Sequence, residues 1–435
     1  MEIGNEVATA ERTRPCPDCG SPLPLDERYV DWCAECEWNV DPGAPDPEPG
    51  RIAAARRRLA HRFGEQLAQE MERAAAESVR PGWDASTVLA FGLALLVHAV
   101  TLILLVSGVL LVVLGWETGV QPVVGALLLG LAAVLRPRTV RLPNDAPVLY
   151  RADAPRLFEL IDEVGAVVGT AGVHAVVVGT HCNAAVTAYG LRRRRVLDLG
   201  LGLWEILSPQ ERVALLGHEL GHFAHGDLRY GRVTSGALHS LRVWYYVLAP
   251  TPAVRLLDRF VNAATFLPRW AAYGTLLLLD RLTLRASQRA EYLADAGAAR
   301  AGSVEAALGL LDRLLVSRSV ATELRRESVA AQMRGGRGGR EDRERAERGL
   351  WERLAAHIGE VPEREYERLR RAGALRGHSA DDTHPPTHLR RRHAAAIPPE
   401  PALVVCDAAR EAAVAAELAA HRAVLARRVI RDHAR

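Results

Sequence analysis

At 435 residues, with 49% apolar side chains, the chain is long enough for two or three domains and too rich in core material for wholesale disorder. Its 55 basic residues are all arginine and nearly balance 52 acidic ones. A net charge of +3 without an aromatic-spaced basic stripe points away from a nucleic-acid partner.

Four of the six cysteines crowd the N-terminal end as two C-x-x-C pairs, Cys16/Cys19 and Cys33/Cys36, separated by 13 residues. Two thiolate knuckles at this separation suit a tetrahedral Zn²⁺, and a module as small as residues 16–38 needs the metal to fold. The expectation is a structural zinc ribbon that holds a protein partner or a neighbouring domain. Its six acidic residues, Asp18 and Glu37 among them, would repel phosphates. Residues 41–50 (DPGAPDPEPG) read as a linker. In 51–80, Ile52, Leu59, Phe63, Leu67 and Met71 recur at helical spacing, predicting an amphipathic juxtamembrane helix that leans either on lipid or on the protein's own surface.

Residues 87–114 form an apolar run longer than the ~20 residues a bilayer requires, and a second, shorter run covers 120–135. Together they predict a transmembrane hairpin (87–135). Arginines flank its outer ends while the turn carries only Glu117, so both ends are expected in the cytosol of a multi-pass cell-membrane protein. The start of the sequence lacks the pattern of a secretory signal, in keeping with a cytosolic N-terminus.

A catalytic domain is expected over 145–400. Periodicity predicts a helix at 154–168 and strands at 175–179 and 195–199. A further apolar stretch at 243–279, interrupted by Pro250, Pro252, Pro268 and Arg269, reads either as two short membrane helices or as a helical pair within the domain. The Gly- and Arg-rich residues 334–343 read as a solvated loop and 401–435 as a C-terminal helix.

The chemistry concentrates in His218-Glu219-Leu220-Gly221-His222, an H-E-x-x-H pattern. It follows Ser208 and Glu211, an N-cap and its capping-box partner. Spacing of i, i+4 puts both imidazoles on one helix face as metal ligands, with Glu219 placed to take a proton from zinc-held water and deliver it to a leaving amine. Glu291 offers a third protein ligand. Asp295, one turn on, and Asp227 are candidates to accept a hydrogen bond from a ligating histidine.

HELGHFAHGD followed by AEYLADAGAA resembles the HtpX-like family of membrane zinc peptidases, which includes the CAAX prenyl proteases. The resemblance extends to HCNAA at 181–185 and to THPPTHLR at 383–390, and covers roughly 145–395. It implies zinc on His218, His222 and Glu291, with Glu219 as general base and acid. It also implies substrate backbone added to a sheet edge at Asn183 and Ala184, and an oxyanion donor at His384. The fold expected is mainly α with a small β-sheet: an α+β zincin-type catalytic domain behind a transmembrane helical hairpin and an N-terminal zinc ribbon. The expected activity is a zinc metalloendopeptidase acting on membrane or misfolded proteins at the cytosolic face of a lipid membrane, with one catalytic and one structural Zn²⁺. The alternative is a catalytically idle membrane adaptor that recruits partners through the ribbon.

Overall fold

A computed structural model describes residues 13–43, 51–76, 85–116, 119–136, 142, 146–190, 194–224, 228–252, 254–333, 339–376 and 384–432. The fold is mostly helical. A two-stranded antiparallel ribbon, β1 (Thr13–Pro15) and β2 (Pro22–Pro24), precedes the helices α1 (Arg51–Ala76), α2 (Ala85–Leu114) and α3 (Val120–Leu135). Then come β3 (Val148–Leu149), α4 (Pro155–Val168), β4 (Ala175–Gly179), β5 (Ala184–Tyr189), β6 (Arg194–Gly200), α5 (Leu201–Trp204) and α6 (Pro209–Ala224). Next are α7 (Leu228–Val247), α8 (Leu256–Gly302), α9 (Val304–Leu315), α10 (Ser317–Met333) and α11 (Gly339–Glu347). The chain closes with α12 (Leu350–Gly359), α13 (Glu363–Arg376), α14 (Thr387–Ala396) and α15 (Ala408–Asp432).

Among the described residues α2 is the one helix long and apolar enough, by length and composition, to cross a membrane; α3 is apolar but shorter. The two pack together, and α7 and the first half of α8 pack against α2. Ala90, Ala94, Val97, Leu241, Ala272 and Leu279 are buried between these helices, while Leu96, Ile103, Phe260, Leu267 and Trp270 point outward. The exposed apolar surface of α2 therefore continues onto α8. Two polar side chains inside the bundle meet backbone carbonyls: Trp244 Nε1 donates to Leu135 O at 3.0 Å, and His98 Nε2 lies 3.0 Å from Val233 O.

Pro268 and Arg269 do not break the chain into two short helices as their residue types suggest. The 47-residue α8 runs through both. Packing against α2 and α7 outweighs the single backbone bond a proline removes. Arg269 lies 4.4 Å from the Tyr245 ring centre, a cation–π contact that accommodates a guanidinium in apolar surroundings. A second departure is α11, which starts at Gly339 within the segment read as a loop. Arg340 with Glu344 and Asp342 with Arg345 form ion pairs one turn apart on it.

The four-stranded sheet has the order β3-β4-β6-β5, with β4 parallel to β6 and β5 antiparallel to it at the edge. Leu157, Phe158 and Ile161 of α4, Val176 and Val178 of β4, Leu197 and Leu199 of β6, and Leu216 and Leu220 of α6 form the core beneath it. The helix α1 buries Leu67, Ala68 and Met71 against Tyr292 of α8 and Leu389 of α14. The described part of its apolar face thus leans on protein, and its acidic side holds Arg392 through Glu65 and Glu72.

Candidate active site

The site is built where α6 crosses α8. Ser208 caps α6 reciprocally, its backbone N–H donating to Glu211 Oε2 at 2.7 Å and its Oγ accepting from Glu211 N at 3.3 Å. Close approach of the two helices depends on Gly217 and Gly221. A Cβ on either would stand 3.0 Å from backbone atoms of α8, Ala298 Cα and Ala294 Cα respectively. The glycine inside the H-E-x-x-H pattern is therefore what lets Glu291 of α8 reach the two histidines of α6.

Those three side chains converge. His218 Nε2 and His222 Nε2 are 3.3 Å apart, and Glu291 places Oε2 3.7 Å from the first and Oε1 3.7 Å from the second. Zn–N bonds of about 2.0–2.1 Å put tetrahedral ligand atoms about 3.4 Å apart, so the donor spacing fits a cation of that kind. Glu291 Oε2 is buried and accepts no hydrogen bond, as a carboxylate oxygen meant for a metal would be. Asp295 lies behind His218, its Oδ1 3.0 Å from Nδ1, which leaves Nε2 to face Glu291. Asp227 lies outside the described residues.

Arg390 is the group that residue-by-residue reading left without a role. Buried at the start of α14, it donates Nε and Nη2 to the two oxygens of Asp295 at 2.8 and 2.6 Å and brings Nη1 within 3.4 Å of Glu291 Oε2. Its sequence signal is its place at the end of THPPTHLR, one turn into a helix that follows Pro385-Pro386. His384 stands at the rim, largely exposed, with Nδ1 2.9 Å from Glu291 Oε1. Glu219 is 6% exposed and opens onto a cleft of about 350 Å³. The cleft is also lined by His218, His222, His384 and residues 183–186 at the start of the edge strand β5, including Asn183 and Ala184.

The electrostatics favour a cation in this position. Burial, helped by neighbouring His218, pulls His222 down to about 4 and keeps it neutral, the form that binds metals. Burial also presses His218 toward neutrality, but its hydrogen bond to Asp295 and the nearby carboxylates outweigh this and raise its pKa. Burial alone would raise Glu291, yet the His384 hydrogen bond and the charges of His218 and Arg390 hold it at about 2. Asp295 is likewise held well below the usual carboxylate range, with Arg390 overcoming its burial. Glu219 goes the other way, burial lifting it above the ordinary glutamate value. A pocket with two firmly ionised carboxylates, in which His218 tends to hold its proton, is matched by a divalent ion in the proton's place.

A second cluster lies in the N-terminal ribbon. Sγ atoms of Cys16 and Cys36 are 3.7 Å apart and those of Cys19 and Cys33 are 3.5 Å apart, too far for disulfides and close to the roughly 3.8 Å edge of a tetrahedron with Zn–S bonds of about 2.3 Å. The ribbon is seated on α13. Arg364, Arg368 and Arg371, spaced along one helix face, donate to the carbonyls of Pro24 at 2.6 Å, Val40 at 2.7 Å and Ala34 at 2.5 Å. Two of these arginines flank the ring of Trp32, which is buried with Val40 and Ala372.

Comparison with known proteins agrees with this geometry. "Protease HtpX" of Pseudomonas putida (strain GB-1) is 26% identical over 166 residues, 35% of this chain and 53% of that protein. That of Xylella fastidiosa (strain M23) is 28% identical over 161 residues, 34% of this chain and 53% of its own length. "Protease HtpX homolog" of Methanothermobacter thermautotrophicus is 27% identical over 225 residues, 50% of this chain and 78% of its own. The chain thus spans about half the length of the Pseudomonas and Xylella relatives. No solved structure matches it. Residues 152–397, more than half of the chain and every element that builds the site, match the profile of peptidase family M48, and the chain belongs to that family of metallopeptidases.

Proposed function

We propose that the protein is a membrane-anchored zinc endopeptidase of zincin type that hydrolyses peptide bonds of membrane or misfolded proteins at the cytosolic face. The observation that carries this reading is the meeting, in one cleft, of a three-ligand cluster, a buried carboxylate and the free edge of a strand. His218, His222 and Glu291 would hold the catalytic zinc, which when bound supplies a Lewis acid and lowers the pKa of water to about 7. Glu219 takes the proton from the attacking water and passes it to the nitrogen of the leaving amine; its raised pKa makes it the stronger base for the first transfer. Asp295, held by Arg390, fixes the ring of His218 through Nδ1. An extended substrate pairs its backbone with β5 beginning at Asn183 and Ala184, which selects main chain before side chains. His384, at the rim with Nδ1 2.9 Å from Glu291 Oε1, would donate to the oxyanion.

The ribbon would carry a structural zinc. The α2–α3 pair, extended by α7 and the outward apolar half of α8, would embed in lipid, with the cleft in the cytosol. The test is zinc content and casein cleavage in detergent for the wild type and Glu219→Gln. Two metal ions in both proteins, with cleavage lost in the variant, support the reading. Cleavage that survives in Glu219→Gln, or a wild type with only the ribbon's metal, would overturn it.

A further inference from the structure

The helix α1 precedes the segment that matches family M48, yet it lies directly behind the metal site. Its buried stripe, Leu67, Ala68 and Met71, covers Tyr292 of α8 and Leu389 of α14. These two are the chain neighbours of Glu291 and Arg390, so one patch of α1 backs both the third ligand of the cluster and the guanidinium beside it. Carboxylates flank the stripe on both sides. Glu70, on the side toward α8, accepts from Arg285 at 2.6 Å and from Arg289 at 3.0 Å, whereas Glu65 and Glu72 turn toward α14 and accept from Arg392 at 3.0 and 2.7 Å. Three successive arginines of α14 thus reach three separate anchors. Arg390 takes Asp295 of α8, Arg391 takes Asp312 of α9 at 3.1 Å, and Arg392 takes α1.

We propose that α1 is a positioning element of the metal site: it clamps α8 to α14 in the register in which Arg390 pairs with Asp295 and faces Glu291. The inference rests on the reading of His218, His222 and Glu291 as a metal site and gives that site a supporting part from outside the matched segment. The ten-residue α14 is too short to hold itself as a helix, so its place is set by what it packs on. A slip of α14 along α8 would part Arg390 from Asp295, free the ring of His218 and shift the charge beside Glu291. Exposure decides which contacts carry the clamp. Glu65, Glu70 and Glu72 are between 25% and 42% exposed, so their ion pairs are screened by solvent and contribute little. The apolar seam of Leu67 and Met71 on Tyr292 and Leu389 is removed from water and carries most of the hold.

The experiment uses the full-length protein in detergent, its ribbon loaded with zinc, and titrates cobalt into the histidine site. Leu67→Ala/Met71→Ala should weaken cobalt binding there about tenfold or more and lower kcat with KM unchanged. Leu67→Ala alone, which leaves Met71 in place, should weaken it by about threefold or more and decides the question if the double variant does not fold. The volume-conserving exchange Leu67→Met/Met71→Leu should bind cobalt as the wild type does. Leu425→Ala, equally buried but on α15, which packs against α4, α10, α11 and α12, should lower the unfolding temperature and leave the affinity where it was. A folded α1 variant whose affinity shifts by less than about threefold, or a Leu425→Ala protein that loses as much affinity as the α1 variants, overturns the clamp. These outcomes are read from metal binding and do not depend on cleavage. A wild type that binds cobalt at the histidines and cuts nothing overturns the peptidase reading alone, and one that binds none there overturns both.

Discussion

Asp295→Asn isolates the contribution of the groups behind the metal ligands. The carboxylate accepts three hydrogen bonds, from Arg390 Nε at 2.8 Å, Arg390 Nη2 at 2.6 Å and His218 Nδ1 at 3.0 Å. An asparagine of the same shape has one acceptor oxygen, and its amide must point at a guanidinium N–H or at His218 Nδ1, so at least one contact becomes donor against donor. The guanidinium of Arg390, 7% exposed, is left partly unpaired with Glu291 Oε2 only 3.4 Å away, and turning to that oxygen takes it from the metal. Loss of such an orienting partner costs about 10–100-fold in metal affinity, or about 1.4–2.7 kcal/mol. Breaking the buried pair costs about 3–5 kcal/mol of folding stability. Cobalt titration separates the two sites, because only the four-thiolate ribbon gives sulfur-to-metal charge-transfer absorption. The double variant Asp295→Asn/Arg390→Met, which removes the stranded charge, should bind cobalt at the histidine site more tightly than the single variant. A single variant within about threefold of wild type, or a double variant that binds no more tightly than the single one, refutes this account.

Glu219→Gln should retain both metals and lose about 10²–10⁴-fold in kcat, read by peptide hydrolysis beside metal analysis. Because burial raises the Glu219 pKa, the acid limb of the pH–rate profile should lie above the ordinary glutamate value of 4.5; a limb at or below that value contradicts the burial argument. In metal-stripped protein, His222, depressed to about 4, contributes stability that is complete above pH 6.5 and lost as pH falls through about 4. Glu291, depressed to about 2, adds a loss that begins below pH 4.5, so thermal unfolding measured from pH 7 to 3 should fall in that order. Gly221→Val places carbon atoms against the backbone at Ala294 and should cost about 1–3 kcal/mol while opening the site; unchanged cobalt binding would speak against the close crossing of α6 and α8. Arg368→Met leaves the Val40 carbonyl without its donor, at about 1–3 kcal/mol, and faster hydrogen exchange in the ribbon and α13 alone is the expected signature.

What could be read from the chain divides by the range of the interaction. The two histidines and Glu219 are legible because i, i+4 spacing is a local statement that any helix honours. Pro155–Val168, Ala175–Gly179 and Arg194–Gly200 follow within a residue of their apolar patterns because each is buried on one side by the same core. Glu291 and Asp295 lie some seventy residues from the histidines. No local rule joins them: from residue type they were candidates on a later helix, and the resemblance of AEYLADAGAA to a known motif tied them to the histidines. Arg390 and the arginine face of α13 were not legible as contacts, because a guanidinium grasping a distant carboxylate or a backbone carbonyl leaves no periodic apolar trace. The continuity of α8 was not legible for a related reason: Pro268 and Arg269 are local breakers, and the packing that overrides them is distant in sequence.

The continuity of α8 bears on what the enzyme can attack. From Leu279, buried among α2 and α7, to Glu291 the helix rises about 18 Å at 1.5 Å per residue, without a break. On the membrane-anchored reading this rigid connection holds the cleft within one or two helix diameters of the lipid surface. It also fixes the height of Glu291 relative to the bundle, because α6 is locked onto α8 at Gly217 and Gly221. Backbone already paired inside a folded domain is not available to add to β5. Chains able to reach the cleft are those that are extended there: a loop or terminus emerging from the bilayer, or a membrane protein that has lost part of its fold. On that proposed reading, substrate choice comes mainly from which polypeptides present unpaired backbone at that height.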